Sequence, residues 1–271
     1  MNVGRAYRSA LWRVSVSAAV ALPTWLRTLG AQAEEPSRFA RWSVDSALTT
    51  APRSVELGVF SQSAWGVNAR VELRLHPVWF WVLPHAEAKL RWLDLGAWQL
   101  SSVHRLAYPT PLLSLVSREG ALGLLPDTTD TPYALLLDTD LLGSAEWSAG
   151  QWATLRVGTS LGLTAGGDDV LLDFPFLYQR FAALSAPAVP RVALGADGGL
   201  STRFGYALEY RHYFIPLADF ALFDANEYAA SVFFLISAGH RLTLGGRLSS
   251  ARLPIGWRSH FLPYLDYQIA L

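Results

Sequence analysis

Only a few side chains in this sequence stand at spacings that could do chemistry. Ser102 and His104 are two residues apart, with Trp98 and Leu100 in phase with them; on an extended strand all four share one face. A serine beside a histidine begins a nucleophile–base pair, but that chemistry also needs a group to orient the imidazole and donors for an oxyanion. No Asp, Glu or Asn falls on the matching faces of the two flanking strands, so a capped or interfacial His104 stands against the catalytic reading. His76 and His85 bracket the Trp79–Trp81 run and could meet at one rim, yet zinc would require further ligands. Asp127 with Asp130, and Asp168 with Asp169, are oxygen donors of the kind calcium takes, although paired loop acids are commonly just solvated. Cysteine is absent, which removes disulfides, thiolate metal sites and a thiol nucleophile. No glycine-rich phosphate loop is present. The expectation is therefore no cofactor and no metal.

The most regular chemistry is ionic. Val67, Ala69, Val71, Leu73 and Leu75 alternate with Asn68, Arg70, Glu72, Arg74 and His76. After a proline-flanked aromatic knot, Ala86, Ala88, Leu90 and Trp92 alternate with His85, Glu87, Lys89 and Arg91. A period of two places one apolar and one charged face on each strand. The same split recurs at Asp138, Asp140 and Glu146, at Arg156, and at Glu209 and Arg211. Opposite charges nearly cancel across the set. Two readings follow: salt-bridge networks that fill an interior, or rings of charge that line a narrow pore. Balanced signs argue against strong anion or cation selectivity.

Composition narrows the setting. Hydrophobic residues make up 51% of the 271, charged residues 16%, and the net charge is zero. A nucleic-acid binder would show a basic patch. No window reaches the roughly 18–20 apolar residues of a membrane helix. An apolar chain without such a helix fits strands that cross a membrane, where every second residue suffices. At the N-terminus, Arg5, Arg8 and Arg13 precede a short apolar run, Val14–Leu22, and the A-x-A-type site Ala31–Ala33. Residues 1–33 thus read as a secretory signal peptide; a short uncleaved anchor is the alternative. Cleavage would remove four arginines and no acids, leaving 34–271 with a formal charge of −4.

Strand-like alternation recurs from Arg38–Ser46 and Ser54–Gln62 through to Phe261–Leu271, giving twelve strands if the weak first one is counted. Tight turns fall near Ser63, Asp94, Ala149, Ser201 and His240; long connections fall at Ala47–Arg53, Pro77–Pro84, Tyr108–Pro132, Ala165–Val189, Ile215–Ala225 and Arg252–His260. Trp92, Trp147, Trp152 and Phe204 cluster at one set of strand ends, and Trp79, Trp81, Tyr108, Tyr133, Tyr213, Phe214, Tyr228, Trp257 and Phe261 at the other. The chain closes on a strand with Leu265, Tyr267, Ile269 and Leu271 out of phase with Asp266 and Gln268. This pattern resembles the Gram-negative outer-membrane β-barrels as a class, with short periplasmic turns, longer external loops and two aromatic girdles. It matches no particular family. A soluble β-sandwich or lipocalin-like barrel is the competing fold, but the single lysine and the dense paired charges on the polar face run against it.

The resemblance implies a non-enzymatic, porin-like envelope protein in the bacterial outer membrane. It would be either a narrow loop-gated pore for small solutes or a structural barrel. Its partners would be outer-membrane lipid and lipopolysaccharide, the envelope assembly machinery and a small solute as cargo, with no nucleic acid. The alternative is an outer-membrane lipid-modifying hydrolase, of the phospholipase or lipid A deacylase type; Ser102-x-His104 departs from the His-x-Ser order of known barrel lipases. Pro109–Arg118 and Val170–Leu184 are too apolar for free external loops: either they fold over or into the barrel mouth as a plug or lid, the favoured reading, or they contact the outer leaflet or a partner. Pro175 would confine any helix in the second segment to its later half.

Overall fold

The computed structural model describes residues 42, 45–117, 130–167, 175–217, 220–253 and 256–271. The proposed leader, Arg41, Asp127, Asp168 and Asp169 lie outside the described residues. From Val55 onward twelve strands are antiparallel and close on themselves: β1 (Val55–Gly58), β2 (Ser63–Gly66), β3 (Val71–Leu75), β4 (His85–Leu95), β5 (Trp98–Ala107), β6 (Tyr133–Ser148), β7 (Gln151–Ala165), β8 (Val189–Gly199), β9 (Phe204–Leu217), β10 (Phe220–Ser237), β11 (His240–Leu253) and β12 (Gly256–Ala270). Each pairs with its sequence neighbours, and β1 pairs with β12. The seam is tied by Leu271 N–H to the Val55 carbonyl at 2.8 Å and by Val55 N–H to the Leu271 carbonyl at 3.2 Å. The closing ladder is short, Glu56 to Gly58 of β1 against Gln268 to Ala270 of β12. Among the described residues no helix is long and apolar enough to cross a membrane; a barrel crosses with strands.

Period-two alternation decides which way side chains point. On β6, Leu135, Leu137 and Leu141 are exposed while Asp138, Asp140 and Ser144 are buried. On β7, Leu155, Val157 and Leu161 face out while Thr154, Arg156 and Ser160 are buried. The wall is thus apolar outside and polar inside, the inverse of a soluble core.

The count of twelve is right, but one member differs. Arg38–Ser46 does not supply a strand among its described residues: Trp42 and Asp45–Ser46 lie outside the ladder, and Trp42 and Ser46 are buried. The twelfth strand is β2, in the stretch expected to be a tight turn near Ser63. The turn itself lies one strand later, at Val67–Arg70. Asn68 causes it: its side-chain oxygen accepts the N–H of Arg70 at 2.8 Å and of Val71 at 3.0 Å, a local closure that competes with the ladder. β1 also stops early, although Val59 N–H still reaches the Tyr267 carbonyl at 3.2 Å and Phe60 N–H the Asp266 carboxylate at 2.7 Å. The expected loops Ile215–Ala225 and Arg252–His260 are largely ladder: β9 runs to Leu217 and β10 begins at Phe220, and β11 runs to Leu253 and β12 begins at Gly256. Ile215, Ala225, Ala251 and Leu253 bury on an apolar cluster inside the barrel, so the ladder runs on.

That cluster comes from the two longest connections. α1 (Thr110–Val116) buries Leu112, Leu113 and Val116. α2 (Pro175–Phe181) starts at its proline, where the missing N–H costs nothing, and continues into a 3-10 turn at Ala182–Leu184. Tyr178, Phe181, Ala182 and Ala183 pack with α1 and with Ala134, Leu136, Val189, Tyr213 and Ile215 of the wall. Both helices therefore fold inward. Gly162 permits it: a Cβ there would lie 2.0 Å from the Ala183 carbonyl oxygen. Tyr213, expected in the outer aromatic girdle, points inward for the same reason, because the helices offer it an apolar surface.

Candidate functional site: the barrel interior

The inner face of β3–β8 carries the ionic network. Register opposes Glu72 with Lys89, Arg74 with Glu87, Glu87 with Arg105, and Arg105 with Asp138. Signs alternate from strand to strand, the arrangement that makes cross-strand charge pairs favourable. Arg74 pairs with Glu72 and, at 3.4 Å, with Glu87. Asp138 accepts from Arg105 Nε at 2.6 Å, from Arg191 at 3.0 Å and from the Ser160 hydroxyl. Asp140 accepts from Arg191 Nε at 2.8 Å and lies over Gly158, where a Cβ would come within 1.8 Å of its carboxylate.

The residues expected to line the interior do not all share one environment. Glu72, Arg74, Glu87, Lys89, Asp138, Asp140 and Arg156 are buried and turned inward. Glu209 and Arg211 are half-buried and pair at 2.8 Å. Arg91 is half-buried beside the β4–β5 turn, 3.4 Å from Asp94. Half-buried Glu146 accepts the Gly150 N–H at 2.7 Å in the β6–β7 turn. Arg70 is exposed on the Asn68 turn, so it does not line the interior. Three further members escaped the sequence reading: Glu227, Arg241 and Arg180. On β10 the inward positions are mostly Ala225, Ala229, Ser231, Phe233 and Leu235, so no polar face announced Glu227. Arg241 sat at a strand end, and Arg180 lies on a loop helix.

Two chain segments cross this interior. The N-terminal strap, described at Trp42 and Asp45–Ser54, lies against the wall around several strands. The Arg241 guanidinium sits 4.5 Å from the Trp42 ring, a cation–π distance. Asp45 reaches Arg156 at 3.3 Å, Ala47 N–H donates to Ser144 Oγ at 2.7 Å, the Leu48 carbonyl accepts from Lys89 Nζ, and Thr50 N–H donates to Glu72. The Asp45 side chain is 55% exposed to the lumen; the surrounding wall opposes its charge, but the guanidinium of Arg156, with Arg211 and Arg74 beyond it, holds the carboxyl below its usual range. At the other end α2 is anchored through Glu227, which accepts from Arg180 at 2.6 Å, Gln179 at 2.9 Å and Arg247 at 3.0 Å.

Ser102 and His104 do meet, on the outer face. Ser102 Oγ and His104 Nε2 are 3.0 Å apart, His104 Nδ1 and Thr139 Oγ1 3.2 Å, and Trp92 Nε1 donates to Ser102 Oγ at 2.9 Å. Thr139 holds the imidazole where an acid would stand in a catalytic set. Ser102 is 2% exposed. A closed string of partners is what polar groups on an apolar wall require. His76 and His85 also meet: His85 Nε2 accepts the His76 N–H at 2.9 Å, and His85 Nδ1 lies 2.7 Å from the Leu83 carbonyl. Both His85 nitrogens are engaged, which leaves none for zinc. Among the described residues no three metal-ligating side chains converge.

No family model matches the chain, and no curated protein does. Solved structures do. One is the outer-membrane expressed OmpT of Vibrio cholerae, at 6% identity and a TM-score of 0.41, covering 77% of this chain and 62% of that one. Another is the outer membrane channel DcaP of Acinetobacter baumannii, at 8% and 0.37, covering 78% and 62%. A third is OccK10 (OpdN) of Pseudomonas aeruginosa, at 14% and 0.36, covering 82% and 62%. The chain therefore spans less than two thirds of the length of each. The neighbours are outer-membrane β-barrels; the closed twelve-stranded barrel itself is established by the strand order.

Proposed function

We propose that this chain is an integral barrel of the bacterial outer membrane and serves as a narrow pore for small solutes, closed at rest by its own loop helices and N-terminal strap. The carrying observation is the way the interior is filled. Its two obstructions are separate chain segments seated on a complete barrel wall. A purely structural barrel needs only a packed lumen. Here the seats are specific and few: Glu227 for α2, and Arg156, Lys89, Glu72 and Ser144 for the strap. The outward apolar side chains of β4–β12, such as Leu155, Val157, Leu194, Leu208, Val232 and Leu244, supply the lipid-facing band. Those strands have 10 to 18 residues, enough to meet the roughly 9–11 needed to cross a bilayer.

The test is planar-bilayer recording of refolded chain 34–271. Low basal conductance that rises on deletion of residues 168–184 supports the pore. Equal silence in the intact and deleted forms, with heat-modifiable gel mobility retained, leaves the structural barrel. Release of fatty acid from phospholipid, lost in Ser102→Ala, would instead favour the hydrolase.

A further inference from the structure

The interior has two unlike halves. β3–β7 face inward with long charged side chains. β8–β10 set small inward residues, Gly195, Ala207, Ala229 and Ser231, beside their charged ones and line a cavity of about 120 Å³. That is room for about four waters at roughly 30 Å³ each, or a molecule of four or five heavy atoms.

Two buried polar atoms on this cavity lack partners among the described residues: Asp266 Oδ2 and Trp42 Nε1, on side chains 2% and 5% exposed. Asp266 spends only its other oxygen, on Phe60 N–H. An unsatisfied buried polar atom is costly and calls for a missing partner. Charge identifies the partner further. Of the ionisable groups on the cavity, Asp45, Glu209 and Arg247 are engaged with Arg156, Arg211 and Glu227. Asp197 has no ion pair among the described residues. Arg241 lies between the Trp42 and Phe233 rings, at 4.5 and 5.0 Å, and donates Nε to Gln268. Asp197 and Asp266 against Arg241 leave one net negative charge.

We propose that this cavity binds a small primary ammonium compound that carries an oxygen acceptor. The ammonium donates to Asp266 Oδ2, with Asp197 adding its charge from across the cavity, and the oxygen accepts from Trp42 Nε1. A quaternary ammonium has no N–H to satisfy the carboxylates. A metal ion finds no convergent set of three ligands among the described residues. The inference stands apart from conduction, since a barrel that never opens a pore could still hold this ligand.

The experiment is titration calorimetry on refolded chain 34–271 in detergent micelles, with ethanolammonium as probe and tetramethylammonium and acetate as controls. Saturable heat is expected with ethanolammonium alone. Asp266→Asn keeps the oxygen that Phe60 uses and should weaken binding by about tenfold or more, the loss of one charge-assisted hydrogen bond. Gly195→Val fills the space without a clash, because a Cβ at Gly195 meets nothing nearer than 3.6 Å, and should abolish binding. Absence of saturable heat with ethanolammonium overturns the proposal, since water alone then satisfies the cavity. Equal binding of tetramethylammonium, or binding unchanged in both variants, overturns it too.

Discussion

Replacing Glu227 by Gln should unlatch the helical lid. Glu227 is 1% exposed and takes donors from Arg180 and Gln179 on α2 and from Arg247 on β11. Removing its charge leaves two guanidinium groups facing one another without a counter-ion while the lid is closed. Opening relieves this, because Arg180 then reaches water. Loss of one partner from a buried ion pair costs about 3–5 kcal/mol. Arg180 is 17% exposed in its side chain, which favours the lower end of that range. Tyr178 and Phe181, at about 1.5–3 kcal/mol each, hold the lid independently by about 3–6 kcal/mol. The lid therefore stays mostly closed, but its open population should rise. About 3 kcal/mol corresponds to roughly two orders of magnitude. The chain has no cysteine, so Ala183→Cys gives a unique reporter at a site 3% exposed. Its maleimide labelling rate should rise about a hundredfold in the Glu227→Gln background, with heat-modifiable mobility preserved. Labelling no faster than in the native background would refute the ionic latch.

Other substitutions probe neighbouring steps. Gly162→Val should expel the turn at Ala182–Leu184, since a Cβ would lie 2.0 Å from a backbone oxygen that cannot swing away; the same labelling assay checks it, and an unchanged rate counts against inward seating. The strap should loosen in acid. The folded carboxyl of Asp45 is held below its usual range by Arg156, so its contribution is present above the ordinary carboxylate range and is lost as pH falls through the lowered value. Bilayer conductance should rise over that acid window, and Asp45→Asn should flatten the dependence; an identical pH profile in Asp45→Asn would exclude Asp45 as the titrating group. Neither Ser102→Ala nor His104→Ala should change fatty-acid release from mixed micelles, because Ser102 is buried and already hydrogen-bonded on both sides; a hydrolytic rate abolished in both variants would reverse that reading.

What could be read in advance depended on whether one side of a strand was uniform. On β3 and β4, and over Asp138, Asp140 and Ser144 of β6 and Thr154, Arg156 and Ser160 of β7, the inner side is polar and the outer apolar, so the period of two assigned those residues to their face; inward Leu136 and Leu142 carry no such signal. On β10 the inner side is mostly Ala, Ser, Phe and Leu, and the period disappears although the strand is the longest, at 18 residues. The strap was misread for a related reason. Trp42 alternates with Arg41 and Ser43 as a strand residue would, yet its burial comes from Arg241 and not from a ladder. Alternation in sequence does not say whether a ladder or another surface covers the apolar side chain. The Asn68 turn and β2 were exchanged because one side-chain oxygen, not composition, ends the ladder. The inward fold of the loop helices was legible because Leu112, Leu113, Phe181 and their neighbours had no plausible place in water.

The near-cancellation of charge also takes on a sharper meaning. If all interior ions paired only within the wall, the lumen would be a fixed salt-bridge core with nothing to move. If all paired with the closures, opening would strip the wall of its counter-ions. The observed division lies between these. Arg74 with Glu87, Arg105 and Arg191 with Asp138, Arg191 with Asp140, and Arg247 with Glu227 join strand to strand, and Arg74 with Glu72 pairs within β3. Asp45 with Arg156 and Arg180 with Glu227 join a closure to the wall. When those two bonds open, Glu227 keeps Arg247, and Arg156 still has Asp140 at 4.0 Å. No interior charge at either seat is left without an opposite charge. A wall that keeps these pairs with the strap and the lid withdrawn is what the proposed pore would need and a permanently filled barrel would not require.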